Sequence, residues 1–178
     1  MANLKISLNG TIYQITEKAF RNTDYWKKPI TPYFYASYVA AGQLVKQWVK
    51  NNYPNVVCRV KGSSFANGNS MSVNVCNVDG SPLSDADYRA INNFAHLFEY
   101  GRYDGMHDTY ESYESSGLKT DSGTVIEAGV KYVSVENRPA WDTPQYVLNC
   151  IRTGEYTWDT MSKYINPKAV EQARALSL

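Results

Sequence analysis

The chain has 178 residues, of which 43% are hydrophobic and 20% are charged, and its formal net charge is +1. This composition excludes a disordered chain, and the length fits one domain with a short appendage. No apolar run approaches the roughly 20 residues of a membrane-spanning helix, and the N-terminal MANLKISLNG has no signal-peptide pattern. We therefore expect a protein of the cytoplasm that contacts no membrane.

The first elements predicted are two short strands. Residues 3–7 and 11–15 alternate in character, and Asn9-Gly10 between them is typical of a two-residue hairpin turn. Residues 17–30 are polar and basic and predict a loop or a short helix. A long helix over residues 32–51 follows, because Thr31-Pro32 suits a helix start and apolar residues recur at three- and four-residue steps. That stripe consists of Phe34, Tyr38, Ala41, Val45 and Trp48.

The middle of the chain predicts a strand hairpin followed by a second helix. Residues 56–60 and 71–76 have strand character, and the Gly/Ser-rich residues 62–69 between them predict a flexible turn. Ser84 is a suitable helix N-cap, with Tyr88, Ile91, Ala95 and Phe98 forming an apolar stripe after it. Beyond Gly101 the periodicity is lost, so residues 101–123 predict a long loop.

The last third of the chain predicts a strand over residues 130–135 and helices over 145–152 and 162–178, with a restart at Asn166-Pro167. The fold class is therefore α+β: a small antiparallel β-sheet packed against two main helices, with a helical C-terminal segment. The expected parts are an N-terminal hairpin and basic loop (1–30), a core (31–138) and a helical extension (139–178), together forming one compact unit.

The sequence contains few residues that could support metal binding or redox chemistry. Cys58, Cys76 and Cys150 are odd in number and lack CxxC spacing, which argues against disulfides and a thiolate metal site. Cys58 and Cys76 lie in apolar, strand-like runs, so we expect both to be small buried hydrophobic residues. Only His96 and His107 could add imidazole ligands. We expect no cofactor and no metal.

Charge is distributed unevenly along the chain. Residues 1–62 contain nine lysines and arginines and two acids, a net of +7, whereas residues 99–121 have a net of −4. Such polarity suits a charged partner. Alternatively, the two regions are neighbours in the fold and neutralise each other.

Two candidate binding segments follow from aromatic and charged residues. The first is the loop after Gly101, with candidate residues Arg102, Tyr103, Asp104, His107, Asp108, Tyr110 and Tyr113. This segment could be purely structural, with an Asp-Gly turn that fixes the backbone and Met106 packed into the core. Alternatively, Asp104, His107 and Asp108 could form a metal or acid–base cluster. The second segment contains Trp26, Lys27 and Lys28, which suit single-stranded nucleic acid.

Several short segments carry a family resemblance. They are Tyr53-Pro54-Asn55-Val56, the strand Val57–Val60, the turn ending in Ser70, the strand Ser72–Val75, Asp79-Gly80, the string Arg102–Asp108 and Lys131-Tyr132-Val133. With them, roughly residues 48–138 resemble a large-polyvalent-protein-associated domain. Such domains occur in phages and mobile genetic elements, alone or fused into very large proteins. The resemblance implies a role in blunting host defence and implies no catalytic residues.

The leading hypothesis is a non-enzymatic counter-defence protein, anti-CRISPR-like or anti-restriction-like, that binds a host defence protein or protein–nucleic acid complex. One alternative is a nucleic-acid-binding accessory protein that uses the basic N-terminal third. Another is a binder that sequesters a small nucleotide signal in a pocket lined by Tyr and Arg. A homodimer is a further partner hypothesis, and an enzyme would require Asp104 or His107.

Overall fold

The computed structural model describes residues 3–16, 19–21, 33–107, 109–112 and 118–177. This part of the chain contains eleven strands and five helices. The strands are β1 (Asn3–Leu8), β2 (Thr11–Thr16), β3 (Ala19–Arg21), β4 (Tyr33–Ser37), β5 (Val56–Phe65), β6 (Gly68–Asn77), β7 (Gly101–Asp104), β8 (Thr109–Ser112), β9 (Leu118–Lys119), β10 (Val125–Gly129) and β11 (Tyr132–Glu136). The helices are α1 (Tyr38–Asn52), α2 (Asp85–His96), α3 (Pro144–Thr153), α4 (Trp158–Tyr164) and α5 (Pro167–Leu176).

The fold is α+β, as predicted. The described strands form four small sheets with the orders β1-β2, β3-β4-β10-β9, β11-β6-β5 and β7-β8. Most neighbouring strands are antiparallel, but β4 with β10 and β6 with β11 are parallel pairs, which the sequence analysis did not foresee. Each parallel pair joins segments far apart in the chain, so the core is tied together by long-range contacts.

The N-terminal hairpin is confirmed. Its two turn residues both adopt positive φ, 50° at Asn9 and 76° at Gly10, which is the geometry that an Asn-Gly pair favours between two twisted strands. Asp121 holds the turn from outside, because its carboxylate accepts hydrogen bonds from the backbone N–H groups of Asn9 (2.8 Å) and Gly10 (2.9 Å). The hairpin is thereby fixed to the segment that precedes β10.

The first helix begins later than predicted. Tyr33–Ser37 form β4 instead of the first turns of a helix, and Ser37 is the N-cap of α1. The backbone of this aromatic segment pairs with both β3 and β10, and that pairing outweighs the helical periodicity. The helix end near residue 52 and the burial of Ala41 and Val45 are confirmed. Thr31 and Pro32, the predicted start, lie outside the described residues.

The Gly/Ser-rich turn is also shorter than predicted. The pairing of β5 with β6 continues in register from Val56↔Asn77 to Phe65↔Gly68, which leaves only Ala66 and Asn67 for the turn. A Cβ on Gly62 would lie 2.5 Å from Cδ2 of Tyr38, so a glycine is needed where this strand passes α1. The predicted antiparallel pairing of the two strands is confirmed.

Residues 101–123 are not one long loop. They contain the β7–β8 hairpin and the short strand β9 within the described residues. The strand predicted over 130–135 is confirmed as β11, which begins at Tyr132, whereas β10 before it was not predicted. The strands β7, β8 and β9 lack clear apolar alternation because they lie in a two-stranded sheet or at a sheet edge.

Two hydrophobic clusters organise the described residues. The larger joins the N-terminal hairpin, α1, α2 and the sheets, and includes the fully buried Leu44, Met71 and Phe98. The smaller one, formed by Val147, Cys150, Met161, Val170 and Ala173, joins α3, α4 and α5. The helical character of the C-terminal segment and the restart at Pro167 are confirmed. None of the helices in the described part of the chain has the length and apolar character required to cross a bilayer.

Candidate functional site

The β7–β8 hairpin presents large side chains to solvent. Tyr103 and Tyr110 are paired across its strands, and the turn between the strands contains Met106 and His107. Tyr103 is 57% exposed and Met106 is 91% exposed. The interpretation of Met106 as a core plug is therefore wrong: the turn points into solvent. We call Tyr103, Met106 and His107 the hairpin surface.

An aromatic cluster lies at the base of this hairpin. The ring of Tyr110 makes edge contacts with Tyr100, at 5.7 Å between centroids, and with Tyr132, at 6.0 Å. Phe65 extends the cluster from the end of β5, at 6.2 Å from the Tyr132 ring. Such edge-on and offset pairs each contribute about 0.5–1.5 kcal/mol beyond the burial of area. The cluster joins two sheets, β7-β8 and β11-β6-β5, and supports the hairpin.

Lys131 is the polar centre of the aromatic cluster. Its ammonium lies 5.1 Å from the ring centroid of Tyr110 and 5.4 Å from that of Tyr132, within cation–π range. Its carbonyl oxygen accepts a hydrogen bond of 2.6 Å from the Tyr110 hydroxyl. Its backbone N–H donates to the side-chain oxygen of Asn69 at 2.8 Å. The residue between β10 and β11 thus links the hairpin to the start of β6.

The structure brings together only some of the sequence-predicted site residues. Tyr103, His107 and Tyr110 share the hairpin. The backbones of Arg102 and Asp104 belong to β7, but their side chains are outside the described structure, as are Asp108, Tyr113, Trp26, Lys27 and Lys28. Both the metal hypothesis at Asp104, His107 and Asp108 and the basic N-terminal segment therefore stay predictions. Among the described side chains, no three metal-ligating groups converge.

Three residues of the aromatic cluster were missed by the sequence analysis. Phe65 was assigned to a flexible turn. Lys131 and Tyr132 were recognised only as part of a predicted strand and of the family resemblance. A usable signal was present, because Tyr132 alternates with the half-buried Val133 in a strand and must therefore face the opposite side of the sheet. What the sequence lacked was the parallel pairing that brings this strand beside β6.

The charge asymmetry has a partial structural explanation. Asp121, from the acidic segment, contacts the N-terminal hairpin through Ser7, Asn9 and Gly10, none of which is charged. Arg59, from the basic segment, forms its ion pair with Asp142 at 2.7 Å, outside the acidic segment. These contacts connect the two regions without matching their charges directly.

The thiols of the chain are not activated. Burial raises the pKa of Cys58 to about 12 and that of Cys76 to about 11, and burial also raises the pKa of Cys150. Cys76 is buried, as predicted, whereas Cys58 is only half-buried; Cys150 is buried too. At neutral pH the protonated form dominates, and a protonated thiol is a poor nucleophile.

A cavity of about 430 Å³ lies among the C-terminal helices. The residues that line it are Tyr146, Tyr156, Thr160, Met161 and Ile165. The sequestration hypothesis requires tyrosine together with arginine, and this lining offers two tyrosines but no cation. Among the described residues, the lining thus offers no group that would pair with a nucleotide phosphate.

Fold and surface together define a small α+β domain that carries an aromatic-supported hairpin. Residues 37–140 match the family described as large polyvalent protein associated domain 29, which is more than half of the chain, and the chain belongs to this family. The match confirms the predicted family and extends the resemblance to Ser37, the N-cap of α1. No curated protein and no solved structure matches the chain.

Proposed function

We propose that this protein is a non-enzymatic counter-defence factor that binds a host defence protein, or a protein–nucleic acid complex, through the hairpin surface. It acts in the cytoplasm of the host cell. The observation that carries the proposal is the exposure of Tyr103 and Met106 on a hairpin whose base is fixed by the aromatic cluster.

A surface of this kind suits protein binding for physical reasons. Tyrosine and methionine are enriched in the cores of protein interfaces, where they bury large areas when a partner docks. A pre-ordered hairpin loses little conformational entropy on binding, so more of the contact energy appears as affinity. The hydrogen bond from Tyr110 to Lys131 supports that order.

The family supplies the biological setting. Large polyvalent protein associated domains point to phages and mobile genetic elements, and proteins of such elements meet host defence on entry. A protein that acts by blocking its target needs a contact surface, and the exposed hairpin surface is a candidate for it. The family itself assigns no molecular target.

The test is a plaque assay in strains that differ only in one defence system. Each strain carries a single CRISPR or restriction system and is challenged with a phage that the system recognises, with and without the protein. We expect plaquing to recover with at least one system. We expect the variant Tyr103→Ser/Met106→Ser, whose changes are at exposed positions, to lose that recovery while keeping its thermal stability.

The matched control is Trp141→Ser, which removes another exposed aromatic side chain outside the hairpin and should leave the recovery intact. Recovery that survives the hairpin double substitution would place the contact elsewhere and contradict the proposed surface. A complete panel of defence systems with no recovery at all would contradict the proposed function.

A further inference from the structure

The β11-β6-β5 sheet has one face against the core. Its opposite face is buried at Cys76 and reaches solvent from Arg59 to Phe65 of β5. On the core side, Met71, Val73 and Val75 of β6 are completely buried. Val60 of β5 faces α1, since its Cγ1 would lie 3.0 Å from a Cβ on Gly42. Because side chains alternate along a strand, the residues between these positions point to the opposite side.

The solvent face has an ordered composition. Cross-strand register places its residues in three rows: Arg59, Asn74 and Glu136; Lys61, Ser72 and Ser134; and Ser63, Ser70 and Tyr132. Phe65 follows at the end of β5. Successive rows lie roughly 7 Å apart, the spacing of alternate residues along a strand. We call these residues the open sheet face.

Small hydroxyl side chains occupy the middle of the open sheet face. Ser63 and Ser70 are hydrogen-bonded at 2.8 Å, and Ser134 donates to Ser72 at 3.2 Å. Serine side chains are short, so a ligand can approach the backbone closely between the larger residues at the edges. The face is therefore a shallow platform with donors and acceptors along its centre.

Two aromatic rings border this platform on opposite strands. Phe65 is 46% exposed and Tyr132 is 43% exposed, and their ring planes are inclined by only 18°. The two rings lie 6.2 Å apart between centroids, so together they form one partly exposed aromatic patch on which a base can stack. Unpaired bases are natural ligands for such surfaces, because every base has a π-face.

The charge of the platform favours an anionic ligand. Lys61 is exposed and forms no ion pair with the residues that the structure describes, and the Lys131 ammonium lies beside the Tyr132 ring. The acid on this face, Glu136, is already engaged by Asn74 at 3.0 Å and Arg138 at 2.8 Å. An approaching phosphate thus meets unpaired positive charge next to the aromatic rings.

We infer that the open sheet face binds single-stranded nucleic acid. Bases stack on the exposed parts of Phe65 and Tyr132, phosphates approach Lys61, and the central serines contact the sugar–phosphate backbone. A duplex is a poorer ligand, because its bases are paired and stacked on one another and cannot reach the rings. This site includes none of the hairpin-surface residues and none of the predicted basic segment at Trp26, Lys27 and Lys28.

The test measures fluorescence anisotropy of labelled oligothymidine and oligouridine of about 20 nucleotides, longer than the roughly 4–16 that one stacking site covers. A duplex DNA of equal length is the third ligand. We expect at least one single strand to bind more tightly than the duplex at low salt. Comparison of the affinities for oligothymidine and oligouridine shows whether the site prefers DNA or RNA.

Three substitutions probe the site directly. Tyr132→Ala and Phe65→Ala should each weaken binding by roughly 5- to 150-fold, the effect expected for one stacked base. Lys61→Gln should weaken it too and should reduce the slope of log affinity against log salt by about one. The two aromatic variants serve as checks on each other, because Tyr132 also supports the hairpin whereas Phe65 lies at the edge of the cluster.

The matched controls are Tyr156→Ala and Lys50→Gln, which change an exposed aromatic side chain among the C-terminal helices and an exposed lysine of α1. Both should bind like the parent protein. Absence of binding to either single strand at low salt would overturn the inference. So would tighter binding to the duplex, or retention of full affinity by Phe65→Ala and Lys61→Gln. None of these outcomes bears on the plaque assay, which tests the hairpin surface.

Discussion

The hydroxyl of Tyr110 donates a 2.6 Å hydrogen bond to the carbonyl of Lys131, and the ammonium of the same lysine lies 5.1 Å from the centroid of the Tyr110 ring. One tyrosine therefore binds both the backbone and the side chain of one lysine. The pair connects β8 to the junction of β10 and β11, and it holds the hairpin surface against the rest of the domain.

Tyr110→Phe keeps the ring and removes the hydrogen bond. The free energy of unfolding should fall by about 0.5–1.5 kcal/mol, as for one ordinary hydrogen bond. Amide exchange in β7 and β8 should accelerate more than in β5 and β6, because the lost bond anchors the hairpin alone. Tyr156→Phe is the control, since that hydroxyl has no hydrogen bond within the described structure. Equal exchange rates in both variants would show that the bond does not order the hairpin.

Gly101→Ala tests the packing at the start of β7. A Cβ there would collide with the carbonyl oxygen of Glu111 and with the Tyr110 ring, so β8 would have to move. Overpacking of this kind costs about 1–3 kcal/mol, and we expect the loss in thermal stability and in hairpin amide protection. Gly105→Ala is the matched control, because its added methyl would meet only Tyr103, at an ordinary 3.8 Å. Similar behaviour of the two variants would contradict the hairpin geometry.

Gln47→Glu tests how α1 closes the free edge of β2. The Gln47 amide accepts from the N–H of Gln14 at 2.9 Å and donates to its carbonyl at 2.7 Å, as a neighbouring strand would. A carboxylate keeps the acceptor but faces the carbonyl with negative charge, which should lower stability by about 1–3 kcal/mol. The same repulsion raises the folded-state pKa of the introduced carboxyl. The defect should therefore shrink as pH falls and be smallest below about pH 4.3, where the carboxyl is protonated and again has a donor.

The control for this substitution is Gln172→Glu, the same change at an exposed position of α5. It should alter stability by no more than about 0.5 kcal/mol. Thermal unfolding measured from neutral to acid pH distinguishes the Gln47→Glu protein from the Gln172→Glu protein. A Gln47→Glu protein as stable as the parent at neutral pH would mean that the edge of β2 does not depend on this amide.

The sequence was most informative where structure is decided locally. The Asn9-Gly10 turn and the Ser84 cap each depend on a few adjacent residues, and both were predicted correctly. Tyr33–Ser37 were misassigned because the strand forms only by pairing with Val125–Gly129, which no local pattern encodes. Helical spacing of apolar residues was present, and tertiary pairing overrode it.

The residues of the candidate site were predictable from the sequence only where they are neighbours along the chain. Tyr103, His107 and Tyr110 could be selected from the sequence because one short segment contains them all. Phe65 and Tyr132 could not be linked to each other, because their proximity arises from β6 pairing with β5 on one side and with β11 on the other. A site assembled by sheet register requires the topology first.

The reactivity of Cys58 provides a probe of the sheet. Burial raises its pKa to about 12, while nearby Lys46 opposes and Cys76 adds to the shift. At pH 8 the thiolate fraction, and hence the alkylation rate by iodoacetamide, should be lower than for a free cysteine by a factor on the order of a thousand. Mass spectrometry should find Cys58 unmodified in the folded protein and all three thiols modified in urea. Rapid native labelling at Cys58 would show that β5 opens.

Asp121→Asn tests whether the carboxylate of Asp121 makes the stability of the fold depend on pH. The Ser7 hydroxyl, followed by the N–H groups of Gly10 and Asn9, donates to Asp121 and lowers the pKa of its carboxyl below the ordinary value. A depressed folded-state pKa means that the stabilisation is complete above the unfolded pKa, about 3.9, and is lost as pH falls through the folded value. The melting temperature of the variant should therefore lie furthest below that of the parent at neutral pH, and the gap should narrow in acid. Glu171→Gln, an exposed change on α5, should show no such pattern. A gap that stays constant down to strong acid would mean that the carboxylate charge does not hold the Asn9-Gly10 turn.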